Sequence, residues 1–252
     1  MLWNAIYWIL YCVKQICVDH NVEVWCEYSI AEIFWANSGG WPMVVPLWFV
    51  RDLMVVIALA FVIYWLIKKT GIISIICLSI LHIMNIWIPI PGFSSESALF
   101  FSAGCYVQIN GIEPLSINKK VFTVAGVTYF TMVLLTVLNW NITPINGYLH
   151  SILAISGTVF VLKLSTYIET EKTNFYNTFA GATFFIFAVH EIYVLRICDS
   201  VLAFFFSNGS ELDKICIYFG GAVLTFFICA GLFFILRKFT PRLCGVLVGK
   251  RI

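Results

Sequence analysis

Charged side chains are scarce in this sequence. Of its 252 residues only 11% are Asp, Glu, Lys or Arg, whereas 61% are hydrophobic, and the mean hydropathy is +0.94. Soluble domains carry about 25% charged residues and about 45–50% apolar ones. The polar side chains are too few to cover a water-soluble globule of this length. The composition therefore excludes a soluble protein and predicts an integral membrane protein.

The motifs of several common functional classes are also absent. The nine cysteines include no CxxC pair and no Cys/His spacing typical of a metal site. The sequence has no glycine-rich phosphate loop, no GxSxG nucleophile elbow and no HExxH motif. The net charge is only +2, and no basic stripe is present. We therefore predict no metal site and no nucleic-acid partner.

Long apolar segments fill most of the chain and predict an all-α fold. A membrane-spanning helix needs about 20 largely apolar residues. Eight segments are candidates, at residues 2–18, 46–67, 71–90, 97–112, 121–139, 147–167, 176–198 and 215–236. Since no internal repeat or soluble segment interrupts them, residues 1–252 are predicted to form a single membrane domain. This domain would be a polytopic transmembrane helix bundle of about eight helices.

The positions of Lys and Arg predict how these helices are oriented. Basic residues recur in every second connection, at 68–69, 119–120, 172 and 237–251. The connection 19–45, in contrast, contains four carboxylates and no Lys or Arg. Because short cytoplasmic loops are enriched in Lys and Arg, the basic connections and the C-terminus are predicted to lie in the cytoplasm.

Two adjacent charges interrupt one apolar segment. In "VPLWFVRDLM" (residues 45–54), Arg51 and Asp52 lie near the predicted outer end of the second segment. Neighbouring helical residues do not face each other, so the two side chains are not expected to neutralise each other along the helix. His150, His190 and Glu191 map to the same outer half of the membrane. We predict one polar cavity lined by these five residues, with Arg51–Glu191 or Asp52–His190 as contacts.

Structural roles are the alternative for most of these residues. Arg51 and Asp52 also fit interfacial anchors or a structural ion pair. His82 stands alone on an apolar segment, which is typical of a buried histidine that donates to a backbone carbonyl. His150, at a helix start, is typical of an interfacial residue. The pair of His190 and Glu191 is the strongest functional candidate, because two ionisable groups deep in an apolar run are costly to keep.

Several stretches, in their order along the chain, resemble one family of membrane enzymes. "VPLWFVRDLM" is similar to the P-L-W-F-[LIV]-R-D-L segment of the acyltransferase-3 family, and "FFIFAVH" (184–190) to its later F-F-I-[YF]-A-[LV]-H. "MLWNAIYW" (1–8) looks like the end of the family's L-L-I-P-Y-L-L-W-N stretch. "SALFFSAGCYV" (97–107) resembles its short helix ending in F-F-x-x-G-x-Y. The resemblance runs through nearly the whole chain.

This resemblance implies an enzyme of the bacterial inner membrane. Family members transfer an acyl group, commonly acetyl or succinyl, from cytoplasmic acyl-CoA to a hydroxyl of an extracytoplasmic carbohydrate or other cell-surface acceptor. Such a reaction needs a general base for the hydroxyl and cationic groups for the donor and the developing oxyanion. The predicted site residues are Arg51, Asp52, His190 and Glu191. Arg51 would bind the acyl donor or the oxyanion, while Asp52 and His190 would orient the acceptor.

One part of the family pattern is missing. Members usually carry the base in an R-x10-H pattern of their first membrane helix. In this sequence neither Arg51 nor Arg196 is followed by a histidine at that spacing, because the residues eleven positions later are Val62 and Ser207. Lys14 also lies at the outer end of the first segment, against the orientation predicted above. We therefore expect an N-terminally truncated member that lacks two helices and is inactive or severely impaired by itself.

Two other functions fit the sequence. The first is a polytopic transporter or exporter of an envelope precursor, which would move its substrate without acylating it. The second is a non-catalytic remnant that binds neighbouring envelope-assembly proteins.

Overall fold

The described part of the chain is built from α-helices. The computed structural model describes residues 2–17, 28–138, 143–168, 179, 181–206 and 210–249. Of the described residues, 80% are helical, and none of them forms a strand. The predicted all-α class is therefore confirmed. The helices group into two compact units, residues 1–48 with 174–252 and residues 49–173, which are described in turn.

The first unit contains the two ends of the chain. From its N-terminal part it contains α1 (Leu2–Cys17), α2 (Ile30–Phe34) and a 3₁₀ turn (Val45–Leu47). The later elements are α9 (Thr183–Val189), the π segment (His190–Val194), α10 (Leu195–Phe205), α11 (Glu211–Phe239) and α12 (Pro241–Leu247). The longest is α11, at 29 residues.

Buried polar contacts hold α1 in the first unit. The indole Nε1–H of Trp3 donates to the carbonyl of Leu247 at 3.1 Å. The side-chain oxygen of Asn4 accepts the backbone N–H of Val44 at 3.2 Å, and Asn4 is buried. The ring of Trp3 meets Phe185 edge-on, with centroids 5.5 Å apart. Together these contacts join α1 to α12, to the 3₁₀ region and to α9.

The short helix α2 begins with a capping box. The backbone N–H of Ser29 donates to Glu32 Oε2 at 2.8 Å, and its hydroxyl donates to the same oxygen at 2.8 Å. In return, Ser29 Oγ accepts the N–H of Glu32 at 3.2 Å. These hydrogen bonds to the ionised carboxylate lower the pKa of Glu32.

The described residues of the second unit form six helices. They are α3 (Trp48–Ala58), α4 (Ala60–Thr70), α5 (Ile72–Ile83), α6 (Ser95–Ile109), α7 (Lys119–Leu138) and α8 (Thr143–Ile168). The first residue of α3, Trp48, still belongs to the first unit. The helices α7 and α8 pack closely because glycine on one helix faces an aromatic ring on the other. A Cβ added at Gly126 would lie 3.0 Å from the Phe160 ring, and one at Gly157 would lie 2.9 Å from the Tyr129 ring.

Few of these helices are long enough to span a membrane alone. The stretches Gly147–Tyr167 and Cys216–Phe239 are long and apolar enough. A third candidate is the pair Val45–Ala58 and Ala60–Thr70, which is bent by 68°. Within the described ranges the structure thus contains two or three candidate spans, and the eight predicted spans are not confirmed. The helices α1, α5 and α6 have 16, 12 and 15 residues, whereas a crossing takes about 20.

Two predicted helices are interrupted. The segment 46–67 was expected to be one helix, but it divides into a 3₁₀ turn, α3 and α4. The segment 176–198 was also expected to be continuous, and residues 176–178 and 180 lie outside the described residues. From Thr183 onward it consists of α9, the π segment and α10, and it extends to Phe205.

Candidate functional site

Arg51 and Asp52 form a buried ion pair. Arg51 Nε donates to Asp52 Oδ1 at 3.1 Å, and one terminal guanidinium nitrogen donates to the same oxygen at 3.0 Å. The two side chains are only 8% and 1% exposed. The expectation that neighbours on a helix would not neutralise each other is therefore wrong. The long arginine side chain folds back over the helix surface, so its planar head reaches the adjacent carboxylate.

The second oxygen of Asp52 caps another helix of the same unit. Asp52 Oδ2 accepts the backbone N–H of Ser94, the N-cap residue of α6, at 3.0 Å. The hydroxyl oxygen of Ser94 accepts the N–H of Ser97 at 3.2 Å. A carboxylate is favoured here because the first N–H groups of a helix have no intrahelical partner and carry partial positive charge. Both oxygens of Asp52 are thus engaged, and the ion pair is joined to the start of α6.

His82 contributes a second polar pair at this end of α6. It lies in the last turn of α5 and is 2% exposed. Its Nδ1 is 2.9 Å from the hydroxyl oxygen of Ser95, the first residue of α6. Its backbone carbonyl accepts the hydroxyl of Ser151, from α8, at 3.1 Å. The prediction that His82 is buried is confirmed, but its ring contacts a serine hydroxyl rather than the predicted backbone carbonyl.

The sequence analysis missed the serines of this cluster and the role of His82. Arg51, Asp52, His82, Ser94 and Ser95 meet where α3, α5 and α6 come together. One available signal was the polar run "FSSES" (93–97), which separates two apolar segments and has the composition of a helix start.

His190 and Glu191 lie in the first unit, at the start of the π segment. His190 Nδ1 is 2.8 Å from the carbonyl oxygen of Phe187. Because a carbonyl can only accept, Nδ1 carries a hydrogen and donates it, and Nε2 is the ring nitrogen that this contact does not use. Glu191 is exposed. The predicted pair therefore occupies an irregular helical turn, and single π turns are frequent at functional sites.

The backbone of the π segment is strained at one residue. Tyr193 has a φ of +63°, a conformation that costs energy for a bulky side chain. Its ring stacks on Tyr7 of α1, with centroids 6.0 Å apart and planes 22° from parallel. The neighbouring helix α10 carries Arg196, which is exposed, and Asp199.

The predicted five-residue cavity draws on residues of both units. Arg51, Asp52 and His150 belong to the second unit, where His150 is exposed on α8. His190 and Glu191 belong to the first. The contacts Arg51–Glu191 and Asp52–His190 stay predictions.

Comparison with known proteins decides the family. A family model described as an acyltransferase domain matches residues 1–234, which is most of the chain. The chain belongs to the acyltransferase-3 family. No curated protein and no solved structure matches it. The resemblance deduced from "VPLWFVRDLM" and "FFIFAVH" is therefore confirmed.

Acyltransferase-3 membership gives the polar cluster of the second unit a chemical context. Acyl transfer to an oxygen needs a base that removes a proton and donors that stabilise an oxyanion. The start of α6 offers helix N–H groups, a buried arginine and a histidine beside a hydroxyl. The cluster therefore contains the types of group that acyl transfer uses.

Proposed function

We propose that this protein is a membrane O-acyltransferase. It moves an acyl group of acetyl or succinyl type from acyl-CoA to a hydroxyl of a cell-surface carbohydrate or another envelope acceptor. The observation that carries this proposal is the match of the acyltransferase domain to residues 1–234. The buried Arg51–Asp52 pair supports it, because charges inside an apolar chain are costly and are commonly retained for function.

In this proposal the predicted site residues have different tasks. Arg51 binds the acyl donor or stabilises the oxyanion that forms on its carbonyl. Asp52 was expected to orient the acceptor, but its two oxygens already accept from Arg51 and from Ser94, so we assign it to holding the guanidinium in place. His190 orients the acceptor hydroxyl through Nε2, because its Nδ1–H is directed to Phe187. Glu191, the next residue, is exposed and helps to bind the same acceptor.

The proposed location is the bacterial inner membrane, with the C-terminus in the cytoplasm. The supporting feature is the cluster of basic residues near the end of the chain. Arg237 and Lys238 lie in the last turn of α11, and Arg242 follows in α12. Such clusters are typical of cytoplasmic ends of membrane helices.

The test uses cells that express the protein from its own genomic locus. Their membranes are supplied with radiolabelled acetyl-CoA or succinyl-CoA, and alkali-labile label on envelope carbohydrate is measured. We expect transfer from one of the two donors. Changing His190 to Gln should lower transfer by about 100-fold, a typical loss when a reacting group is no longer held in position. Arg51→Lys should lower it by about 100-fold as well, since lysine does not reproduce the guanidinium geometry.

The control variant is Lys238→Ala, an exposed cation outside the cluster, which should leave transfer unchanged. Carbohydrate that reaches the cell surface without any acyl label would contradict the proposal and favour an exporter. Transfer that is insensitive to both His190→Gln and Arg51→Lys would contradict the assigned roles.

A further inference from the structure

The pair of His82 and Ser95 has the geometry of a base beside a nucleophile. His82 Nδ1 and Ser95 Oγ are 2.9 Å apart, within the range expected for a catalytic base and the hydroxyl that it activates. We infer that Ser95 is a transient acyl carrier, which takes the acyl group from the donor and passes it to the acceptor hydroxyl. This inference rests on the proposed function and divides its reaction into two steps.

The position of Ser95 suits a nucleophile. It is the first residue of the 15-residue helix α6 and is half-buried. The first N–H groups of a helix have no intrahelical acceptor and favour negative charge. An oxyanion that forms on the carbonyl bonded to Ser95 Oγ would therefore lie beside suitable donors. Asp52 fixes this end of α6 through the N–H of Ser94.

The environment of His82 suits a base. The side chain is 2% exposed, so water does not compete for Nδ1. The hydroxyl of Ser151, in α8, donates to the backbone carbonyl of His82 and fixes its position. Its Nε2 is buried and has no hydrogen-bond partner among the described residues, so the ring makes its one polar contact with Ser95. A carboxylate oxygen of Glu96 can accept the same Ser95 hydroxyl proton at 3.4 Å, but this contact is longer than that to His82.

The two steps conserve atoms and charge. In the first, Ser95 Oγ attacks the thioester carbonyl carbon of the donor, and a C–O bond forms while the C–S bond breaks. The hydroxyl proton passes to His82 Nδ1 and from there to the departing sulfur, which leaves as a thiol. In the second, the acceptor hydroxyl attacks the serine ester. Its proton passes through His82 to Ser95 Oγ as the acyl group leaves.

An activated ester tests this inference without knowledge of the natural donor. The purified 252-residue chain in detergent is incubated with p-nitrophenyl acetate, and acetyl groups are located by peptide mass spectrometry. We expect Ser95 to be acetylated at least about 100-fold faster than Ser116, an exposed serine that serves as the internal reference. The variant His82→Gln should lower the rate at Ser95 by about 100-fold.

Two further variants separate reactivity from folding. Ser95→Cys should still be acetylated at this position, and its rate should still depend on His82. Ser79→Ala removes a serine of α5, the helix that carries His82, and serves as the control. The hydroxyl of Ser79 donates to the carbonyl of Ile75, so its loss should leave the rate of acetylation at Ser95 unchanged. Acetylation of Ser95 no faster than that of Ser116, or a rate that is equal in His82→Gln, would overturn the inference.

The inference and the proposed function fail in different ways. If cells with Ser95→Ala at the genomic locus still acylate their envelope at the wild-type rate, the carrier role is wrong and the proposed function stands. If p-nitrophenyl acetate labels Ser95 in a His82-dependent way but membranes transfer nothing from acyl-CoA, the reactive pair stands. The donor and acceptor of the proposed function are then wrong.

Discussion

At the scale of single residues, the buried Arg51–Asp52 pair is a costly feature of the second unit. Both side chains are buried, and removing two charges from water costs several kcal/mol for each ion before their attraction is counted. The attraction offsets this cost only where the remaining polar groups are also satisfied. Asp52 meets that condition, because its second oxygen accepts the Ser94 N–H. The two side chains therefore neutralise each other's charge, and Asp52 also fixes the start of α6.

Breaking this pair from one side should be strongly destabilising. The variant Asp52→Ala removes the carboxylate that neutralises Arg51 and the acceptor of the Ser94 N–H. We expect the free energy of unfolding to fall by about 3–5 kcal/mol. The measurement is equilibrium unfolding in mixed micelles, followed by tryptophan fluorescence.

A double variant distinguishes lost charge pairing from lost packing. Arg51→Met combined with Asp52→Asn removes both charges and keeps a side-chain oxygen for Ser94, so it should recover most of the lost stability. The exposed Lys119→Ala serves as the control and should change little. A double variant as unstable as Asp52→Ala would show that the lost neutralisation of Arg51 by Asp52 is not the cause.

At the scale of helices, α7 and α8 depend on reciprocal contacts between glycine and aromatic rings. Gly126 faces Phe160, and Gly157 faces Tyr129. The rings of Phe122 and Phe160 also stack, with centroids 5.1 Å apart. Small residues let membrane helices approach closely where lipid supplies no hydrophobic driving force between them. These glycines therefore set the separation of the two helices.

Gly157→Ala should weaken this packing. The new Cβ would lie 2.9 Å from the Tyr129 ring, so the ring or the helix must shift. We expect a loss of about 1–3 kcal/mol in unfolding free energy, the usual range for an overpacked contact. Gly104→Ala, in α6, is the matched control because no atom lies within 4 Å of its added Cβ. It should be neutral or stabilise by up to about 1 kcal/mol, and equal effects of the two variants would contradict the packing role of Gly157.

At the scale of the whole molecule, charge is distributed unevenly along the chain. Lys68 and Lys69 end α4, and Arg237 and Lys238 end α11. The described residues of the connection between α1 and α3 carry Glu32 and no basic side chain. This alternation is what the orientation proposal rests on, because Lys and Arg in short loops stay on the cytoplasmic side.

Reporter fusions measure this orientation. Alkaline phosphatase, which folds only outside the cytoplasm, should be active when fused after Gly40 and inactive after Gly71 or Gly249. A green fluorescent reporter should give the reverse pattern. Lys68→Gln with Lys69→Gln should weaken the preference at Gly71, because it removes the basic pair that holds this loop inside. Active phosphatase after Gly249 would contradict the cytoplasmic C-terminus.

The amino-acid sequence by itself determined the helical, apolar class and the family of this protein. Both depend on local features: the composition, the length of apolar runs and short motifs such as "VPLWFVRDLM". It also singled out Arg51 and Asp52, because two charges in an apolar run are conspicuous whatever fold the chain adopts. Burial of His82 was predictable for the same reason.

Only the tertiary structure decided which of these groups meet. Arg51 turns back onto Asp52, a choice of side-chain conformation that helical spacing alone does not specify. His82 meets Ser95, thirteen residues further along, because the connection between α5 and α6 brings the end of one helix to the start of the next. The bend between α3 and α4 is likewise invisible in the run of apolar residues. Such contacts depend on turns and on packing between helices, whereas the sequence pattern records only the preferences of each helix.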